Sequence, residues 1–246
     1  MYIDAILKKY GMEDANSVAT LMDSNLKLEP GEPEAGNRNN NYASLIGSLM
    51  YAAVATWADI AYAVNRLASF IANPTLSHWN TAKQVMRYLN GTKNYGITYS
   101  QIKDSNDHIH GYSDASFANN SDCTSVSSYI FMQASSTITW GSKKQNTVSL
   151  SSTEAEYICL SDAVRDALWL QSLNSELGYT QSESTLICGN NLSSLVIAEN
   201  PRYHKSTNHF DIKHHFIHDQ IKNENVDIKF CPTKDMTDKS VTMAII

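Results

Sequence analysis

The sequence is short of cysteine, proline and basic charge, and each shortage excludes something. Its 246 residues include four cysteines, Cys123, Cys159, Cys188 and Cys231, far apart and without a Cys-x-x-Cys pair. Neither a structural zinc site nor a redox dithiol is supported, and so few cysteines suit a reduced, intracellular chain. Five prolines and ten glycines are too few for a collagen-like or low-complexity protein. Nineteen Lys plus Arg against 25 Asp plus Glu leave a net charge of -6, so a polyanionic partner would need a local basic groove. The N-terminal MYIDAILKKYGMEDA lacks the apolar run and cleavage site of a secretory signal. The longest apolar stretch, 45–64, is interrupted by Ser48, Thr56 and Asp59 and is too polar for a membrane span. What remains is 42% hydrophobic and 18% charged, the balance of a soluble globular chain with one large or two small domains.

Periodicity divides the chain. Residues 2–11 read as a short helix closed by Gly11, and 24–41, with Pro30, Pro33 and an asparagine-rich end, read as a linker or long loop. Residues 42–91 carry helical spacing in three pieces. Leu45, Leu49, Ala52 and Ala53 mark the first, and Ile60, Val64, Leu67 and Ile71 mark the second, stopped by Pro74. The third runs from His78 to Leu89 and is closed by Gly91. From about residue 95 the pattern turns to strands: 95–100, 109–117, 126–133, 137–140 and 147–150. A long helix follows over 153–177, ended by Gly178. Then come a strand at 185–188, a helix at 193–199, a helix at 206–223, a strand at 226–231 and a helical tail. This order predicts a mixed sheet with helices on its faces.

Three carboxylates and an amide stand out on these elements. Asp114 lies within the first strand of the meander, where an acid is disfavoured unless it sits on the wet face of an edge strand. Glu154 and Glu156 open the long helix, and both fit capping boxes, with Ser151 and Thr153 respectively. The helical wheel separates them. Glu156 shares the apolar face of Leu160, Ala163, Val164 and Ala167, whereas Glu154 lies with Ile158, Asp162 and Arg165. A carboxylate on a buried face needs a cation or a proton, which selects Glu156. The strand 185–188 ends in Asn190-Asn191, and Asp235 and Asp238 follow the last strand. Oxygen-only donors of this kind suit Mg²⁺ or Mn²⁺.

The strings IGSLMYAAVAT, DIAYAVNRLASF and HWNTAKQVMRYLNGTKNYGITYS resemble the segment that follows the reverse transcriptase core in copia-type retrotransposon Pol polyproteins. GYSDASFAN, ITWGSKKQNTVSLSSTEAEY, SLVIAENP and HFDIKHHFIHDQI resemble the ribonuclease H domain of the same polyproteins. The resemblance implies an α/β fold, a ribonuclease H-like mixed five-stranded sheet flanked by helices and preceded by a small, mainly helical region. Residues 1–100 would be the trailing connection of a reverse transcriptase, and 101–246 the nuclease domain. The implied activity is two-metal hydrolysis of the RNA strand of RNA–DNA hybrids, with two Mg²⁺ (or Mn²⁺) ions held by four acids. By resemblance Asp114 is the first acid, Glu156 the second and Asp238 the fourth, with Asp211 as its alternative. The third position falls on Asn190, an amide where the family pattern has a carboxylate, which predicts impaired catalysis. Other departures are Trp57-Ala58 in place of Arg-Pro, DCTSVSSY at 122–129 and the loosely matching tail TDKSVTMAI.

Lys143, Lys144, Arg202, Lys205 and Lys213 are the candidate contacts to the hybrid's backbones. The expected partners are the hybrid and the reverse transcriptase portion of the same polyprotein, with no membrane, in a cytoplasmic particle or the nucleus. Five histidines cluster between 204 and 218. His214 and His218 are spaced to suit zinc, but no cysteine or carboxylate pattern accompanies them. Two other readings stay open: a non-catalytic module that binds nucleic acid or reverse transcriptase, and a decayed element without activity.

Overall fold

The computed structural model describes residues 2–23, 26, 28–31, 38–100, 108–120, 122–179, 181, 183–200 and 208–237, without the side chains of 38–40, 208–212, 214 and 237. The chain divides into two compact units, Met1–Ile97 and Thr98–Ile246.

The first unit is helical, and its apolar spacing shows why. In α1 (Tyr2–Lys9) the buried residues are Ile3, Ile6 and Leu7, one stripe of the helix, and Gly11 follows with φ +64°, a conformation that costs glycine little. α2 (Arg38–Ala55) buries Tyr42, Leu45, Ile46, Leu49, Ala52 and Ala53. A short 3₁₀ turn (Ala58–Ile60) leads into α3 (Ala61–Ala68), and α4 (Leu76–Thr92) completes the unit. At the start of α4 the Thr75 backbone N–H donates to His78 Nδ1 at 2.8 Å, so an imidazole takes the place that Glu holds in the usual capping box. Polar bonds also tie the elements together, among them Tyr42 Oη donating to the Leu67 carbonyl at 2.8 Å and Tyr88 Oη to Asp59 at 2.6 Å.

Three expectations for this unit are corrected. Part of the 24–41 segment belongs to the core, because Leu28 is buried among the helices. The second helix ends at Ala68, ahead of Ile71, which is exposed. Gly91 lies inside α4 and does not end it. A Cβ there would come within 2.9 Å of Ser17 Cβ, so close approach of the 12–23 segment, and not helix termination, calls for glycine.

The second unit is built on five strands: β1 (His110–Ser116), β2 (Val126–Gln133), β3 (Ser136–Lys144), β4 (Thr185–Gly189) and β5 (Val226–Phe230). Their order is β3-β2-β1-β4-β5. β1, β2 and β3 pair antiparallel, while β4 runs parallel to β1 and β5 parallel to β4. The parallel pairings demand crossovers, supplied by α5 (Ser152–Glu176) between β3 and β4, and by α6 (Leu192–Glu199) and α7 (Asn208–Lys222) between β4 and β5. A short α8 (Thr233–Thr237) follows β5. Phe131, Tyr157, Leu160, Ala163, Val164, Ile187, Ile217 and Ile228 form the core between α5, its neighbouring helices and one face of the sheet. Gly111 lies opposite Phe131, where an added Cβ would meet the ring at 2.5 Å; only glycine lets the ring lie across β1.

Two expected strands are not strands. Residues 95–100 alternate in polarity, yet they meet only the turn joining β2 to β3. Ser100 N–H donates to the Ala134 carbonyl at 3.1 Å, Tyr99 Oη donates to the Thr137 carbonyl at 2.8 Å, and Ser136 Oγ donates to the Thr98 carbonyl. The bonds of 98–100 go to the turn end of the hairpin and not along the free edge of β3, so no ladder forms. Residues 147–150 instead form the lead-in to α5. Ser149 Oγ donates to the fully bonded Gln145, and Leu150 N–H donates to Glu154 at 2.7 Å. β3, in contrast, extends through Lys144, past its expected end at Trp140. The helical tail and Asp238 lie outside the described residues, as do Arg202 and Lys205.

Candidate functional site

Asp114 stands on the central strand, not on an edge as the bland reading of its pattern required. The parallel register pairs Ser113 of β1 with Gly189 at the end of β4, so the residues that follow each, Asp114 and Asn190, become neighbours. Asn190 Nδ2 donates to Asp114 Oδ1 at 2.8 Å. The adjacent amide has a separate task, because the Asn191 side chain accepts from Ser194 N–H at 3.0 Å and caps α6. The dipeptide at the strand end thus divides into one residue for the site and one for the helix.

Glu156 reaches the same point from the first turn of α5. Its carboxyl accepts the Ala115 N–H at 3.1 Å and shares a hydrogen bond with the Asp114 carboxyl. The two possible capping boxes resolve accordingly. Ser151 Oγ accepts from Glu154 N–H and caps the helix, while Glu156 turns inward. Glu154 bonds Leu150 one residue further out. Ile158, expected on the wet side, is buried, because α7 brings Phe216 against that part of α5.

Two carboxyls this close, one buried and one half-buried, cannot both ionise cheaply. Burial, followed by the charge of Asp114, pushes Glu156 up to about 8. Burial also raises Asp114, partly offset by hydrogen bonds from Asn190, Glu156 and the Ala115 N–H. In this state Glu156 keeps a proton and donates it to Asp114. The Cys159 thiol lies beneath the pair, donating to the Asp114 and Ser128 carbonyls, both at 3.2 Å, and burial raises its pKa far above the usual thiol range. It is a fixed, protonated floor, not a nucleophile.

A pair of carboxyls with an amide oxygen available suits a hard divalent cation. Among the described residues no three His, Cys, Asp or Glu side chains converge as a metal cage; the third convergent side chain is the amide of Asn190. The fourth expected acid, Asp238, lies outside the described residues. Asp211 falls within α7, with its side chain outside them.

The three described lysines among the candidates gather at one groove. Cross-strand pairing puts Ala115, Ser127 and Lys143 in one row, and Gln145 bridges Ser127 Oγ to the Ala155 carbonyl, both at 2.9 Å. That row therefore faces α5. By strand alternation Asp114 points to the opposite face. Lys143 and Lys213 line a groove with Asp162, Arg165 and Phe216, on the side of α5 away from Glu156. Lys144 forms an ion pair with Asp122 at 2.5 Å, whose carboxyl also accepts from Thr124 Oγ at 2.6 Å; this local turn occupies the divergent DCTS segment. Gln145, which pins the loop before α5, was not singled out by its sequence. Its only signal was its place within the string that leads to Glu156.

A central acid on β1, a second on the crossover helix and a third side chain at the end of β4, on a sheet ordered 3-2-1-4-5, define a ribonuclease H-like domain. No protein-family model matches the sequence, but curated relatives do. The chain is 35% identical over 234 residues to the retrovirus-related Pol polyprotein from transposon TNT 1-94 of Nicotiana tabacum, covering 92% of this chain and 17% of that protein. It is 34% identical over 238 residues to the Pol polyprotein from transposon RE2 of Arabidopsis thaliana, covering 96% of this chain and 16% of the relative. It is also 41% identical over 134 residues to the secreted RxLR effector protein 161 of Plasmopara viticola, covering 54% of this chain and 93% of that one. This chain belongs to the copia-type retrotransposon Pol polyproteins, and it spans about a sixth of the length of the two Pol relatives.

Among solved structures, a ribonuclease H1 from compost in complex with an RNA/DNA hybrid is 17% identical, covers 56% of this chain and 96% of its own, and has a TM-score of 0.40. A foamy viral protease-reverse transcriptase in complex with an RNA/DNA hybrid is 13% identical, covers 94% of this chain and 27% of its own, and has a TM-score of 0.49. Among the described residues no helix is long and apolar enough to cross a membrane.

Proposed function

We propose that residues 98–246 are a nuclease module for RNA–DNA hybrids whose hydrolysis of the RNA strand is weakened by Asn190, and that residues 1–97 are the trailing connection of a reverse transcriptase. The observation that carries this reading is the convergence of Asp114, Glu156 and Asn190, with the two carboxyls close enough to share a proton and the amide bonded to one of them. Asp114, Glu156 and the Asn190 amide oxygen would hold a divalent ion, joined by Asp238 or Asp211. Such an ion, when bound, supplies an activated water and charge neutralisation at the scissile phosphate. The protein's own part is to position. The Ala115 N–H orients Glu156, Cys159 fixes the strand beneath Asp114, and Asn190 holds the Asp114 carboxylate in one rotamer. Asn190 supplies an oxygen but no charge, and in the present geometry it presents N–H, not oxygen, to Asp114. An ion must therefore displace that bond and the shared proton before it can bind.

Cleavage of a labelled RNA–DNA hybrid, measured for the parent and for Asn190→Asp in Mg²⁺ and in Mn²⁺, tests the proposal. The revertant should cut at least about 100-fold faster, a few kcal/mol of transition-state stabilisation. Equal rates would move the third ligand to another residue. If neither protein cut while both bound hybrid, the module would be a binding module, the reading favoured by an Asn190 amide that occupies the Asp114 carboxylate.

A further inference from the structure

The groove behind α5 is not part of the carboxylate site. It is about 570 Å³ in volume and is walled by β3 and the loop after it, by α5 and by α7. Each wall contributes a cation: Lys143 from β3, Arg165 from α5 and Lys213 from α7. The acid lining it is Asp162, held by Arg165 at 3.0 Å, and Lys144 at its rim is matched by Asp122. Among the described residues Lys143 and Lys213 thus leave two positive charges in excess, on a chain whose net charge is -6.

The loop wall is tied down by hydrogen bonds. Gln145 is buried and fully used, bonding Ser127, Ala155 and Ser149, so the 145–149 loop holds its place. Lys213 is half-buried in the wall of the groove.

The geometry points to this groove as a second seat for a nucleic-acid phosphate backbone, gripped by Lys143 and Lys213 on the face of the domain opposite Asp114. This rests on the proposed function, which supplies the duplex. A duplex, or the single strand running off its end, would then meet the domain on two surfaces, with the cutting site on one and a sequence-independent grip on the other.

Binding of a fluorescent RNA–DNA hybrid by the full chain in EDTA, followed by anisotropy across salt concentrations, tests the assignment. Lys143→Gln/Lys213→Gln should bind on the order of tenfold more weakly at about 50 mM salt, and its log–log salt slope should be shallower by about 2, one per phosphate contact. Lys143→Arg/Lys213→Arg should keep the parent's affinity and slope. Equal loss in both double variants would mean that packing, not charge, was disturbed, and would overturn the proposal. So would unchanged hybrid binding by the glutamine variant. Unchanged hybrid binding with lost binding to polyglutamate would assign the groove to an acidic protein instead. The cleavage assay separates the two readings. A cutting Asn190→Asp protein beside a silent groove removes only the groove, and a salt-sensitive groove beside an uncut hybrid removes only the hydrolytic reading.

Discussion

Residues 2–97 bury an imidazole, His78, and residues 98–237 bury a carboxyl, Glu156, against the half-buried Asp114; these two buried groups respond to protons in opposite directions. His78 is fully buried, stacked on Phe70 at 4.1 Å between ring centroids, with its Nδ1 accepting the Thr75 N–H and its Nε2 without a partner among the described residues. Burial lowers its pKa from 6.5. The unfolded chain then takes up a proton that the folded unit refuses, so the contribution of His78 to stability is full above pH 6.5 and falls as the pH drops below it, while Asp59 of the same unit, raised by burial, contributes with the opposite sign. Glu156 is the reverse case, raised from 4.5 to about 8. The folded α/β unit keeps a proton that the unfolded chain releases, so its stability is full below about pH 4.5 and declines as the pH rises toward 8. One region uses its buried group to start a helix and hides it. The other sets two carboxyls side by side, a charge that a proton or a cation relieves.

The sharpest way to break this comparison is through the two glycines that pack differently in the two regions. Gly111→Val puts a branched side chain into the Phe131 ring, which is fully buried and has nowhere to move. The α/β unit should lose more than about 3 kcal/mol, seen in urea unfolding as the disappearance of its transition while the helical signal of residues 2–97 persists.

A matched pair of titration-silencing changes comes next. Glu156→Gln can still accept the Ala115 N–H and donate to Asp114. It should flatten the alkaline decline of the α/β unit, raising Tm at pH 8 and leaving it unchanged near pH 4.5. His78→Gln keeps a capping side chain and should flatten the acid decline of the helical unit. Each slope removed is at most about 1.4 kcal/mol per pH unit, and calorimetry across pH reads both from one series. A parent protein without opposite limbs would end the comparison. The smallest effect is Gly47→Ala in α2, where an added Cβ meets nothing within 4 Å. It should stabilise the helical unit by about 0.5–1 kcal/mol, read as a higher urea midpoint at constant slope.

Much of the fold was legible because strong periodicity leaves few alternatives. The stripes of α1, α2 and α4, the long α5 and strands β1, β2, β4 and β5 follow from spacing that a helix or a sheet can bury in one way only. Residues 95–100 and 147–150 misled for one reason: alternation describes a segment that could pair, and only the tertiary structure decides whether it is laid alongside a strand. Gly91 misled because a glycine near the end of a helical pattern signals either termination or close packing, and the residue it packs against, Ser17, is distant in sequence.

The site divides along the same line. The sequence by itself determined the chemistry of the carboxylates: Glu156 on the apolar side of its helix, Asp114 on a strand that disfavours acids, and an amide at 190. These follow from local period and residue type. Only the tertiary structure decided that the β1–β4 register makes Asp114 and Asn190 hydrogen-bond partners, that Glu156 and not Glu154 is desolvated against them, and that Lys143 and Lys213 share a groove behind α5. Those outcomes depend on which strand lies beside which and on which face each side chain takes, and long-range pairing sets both.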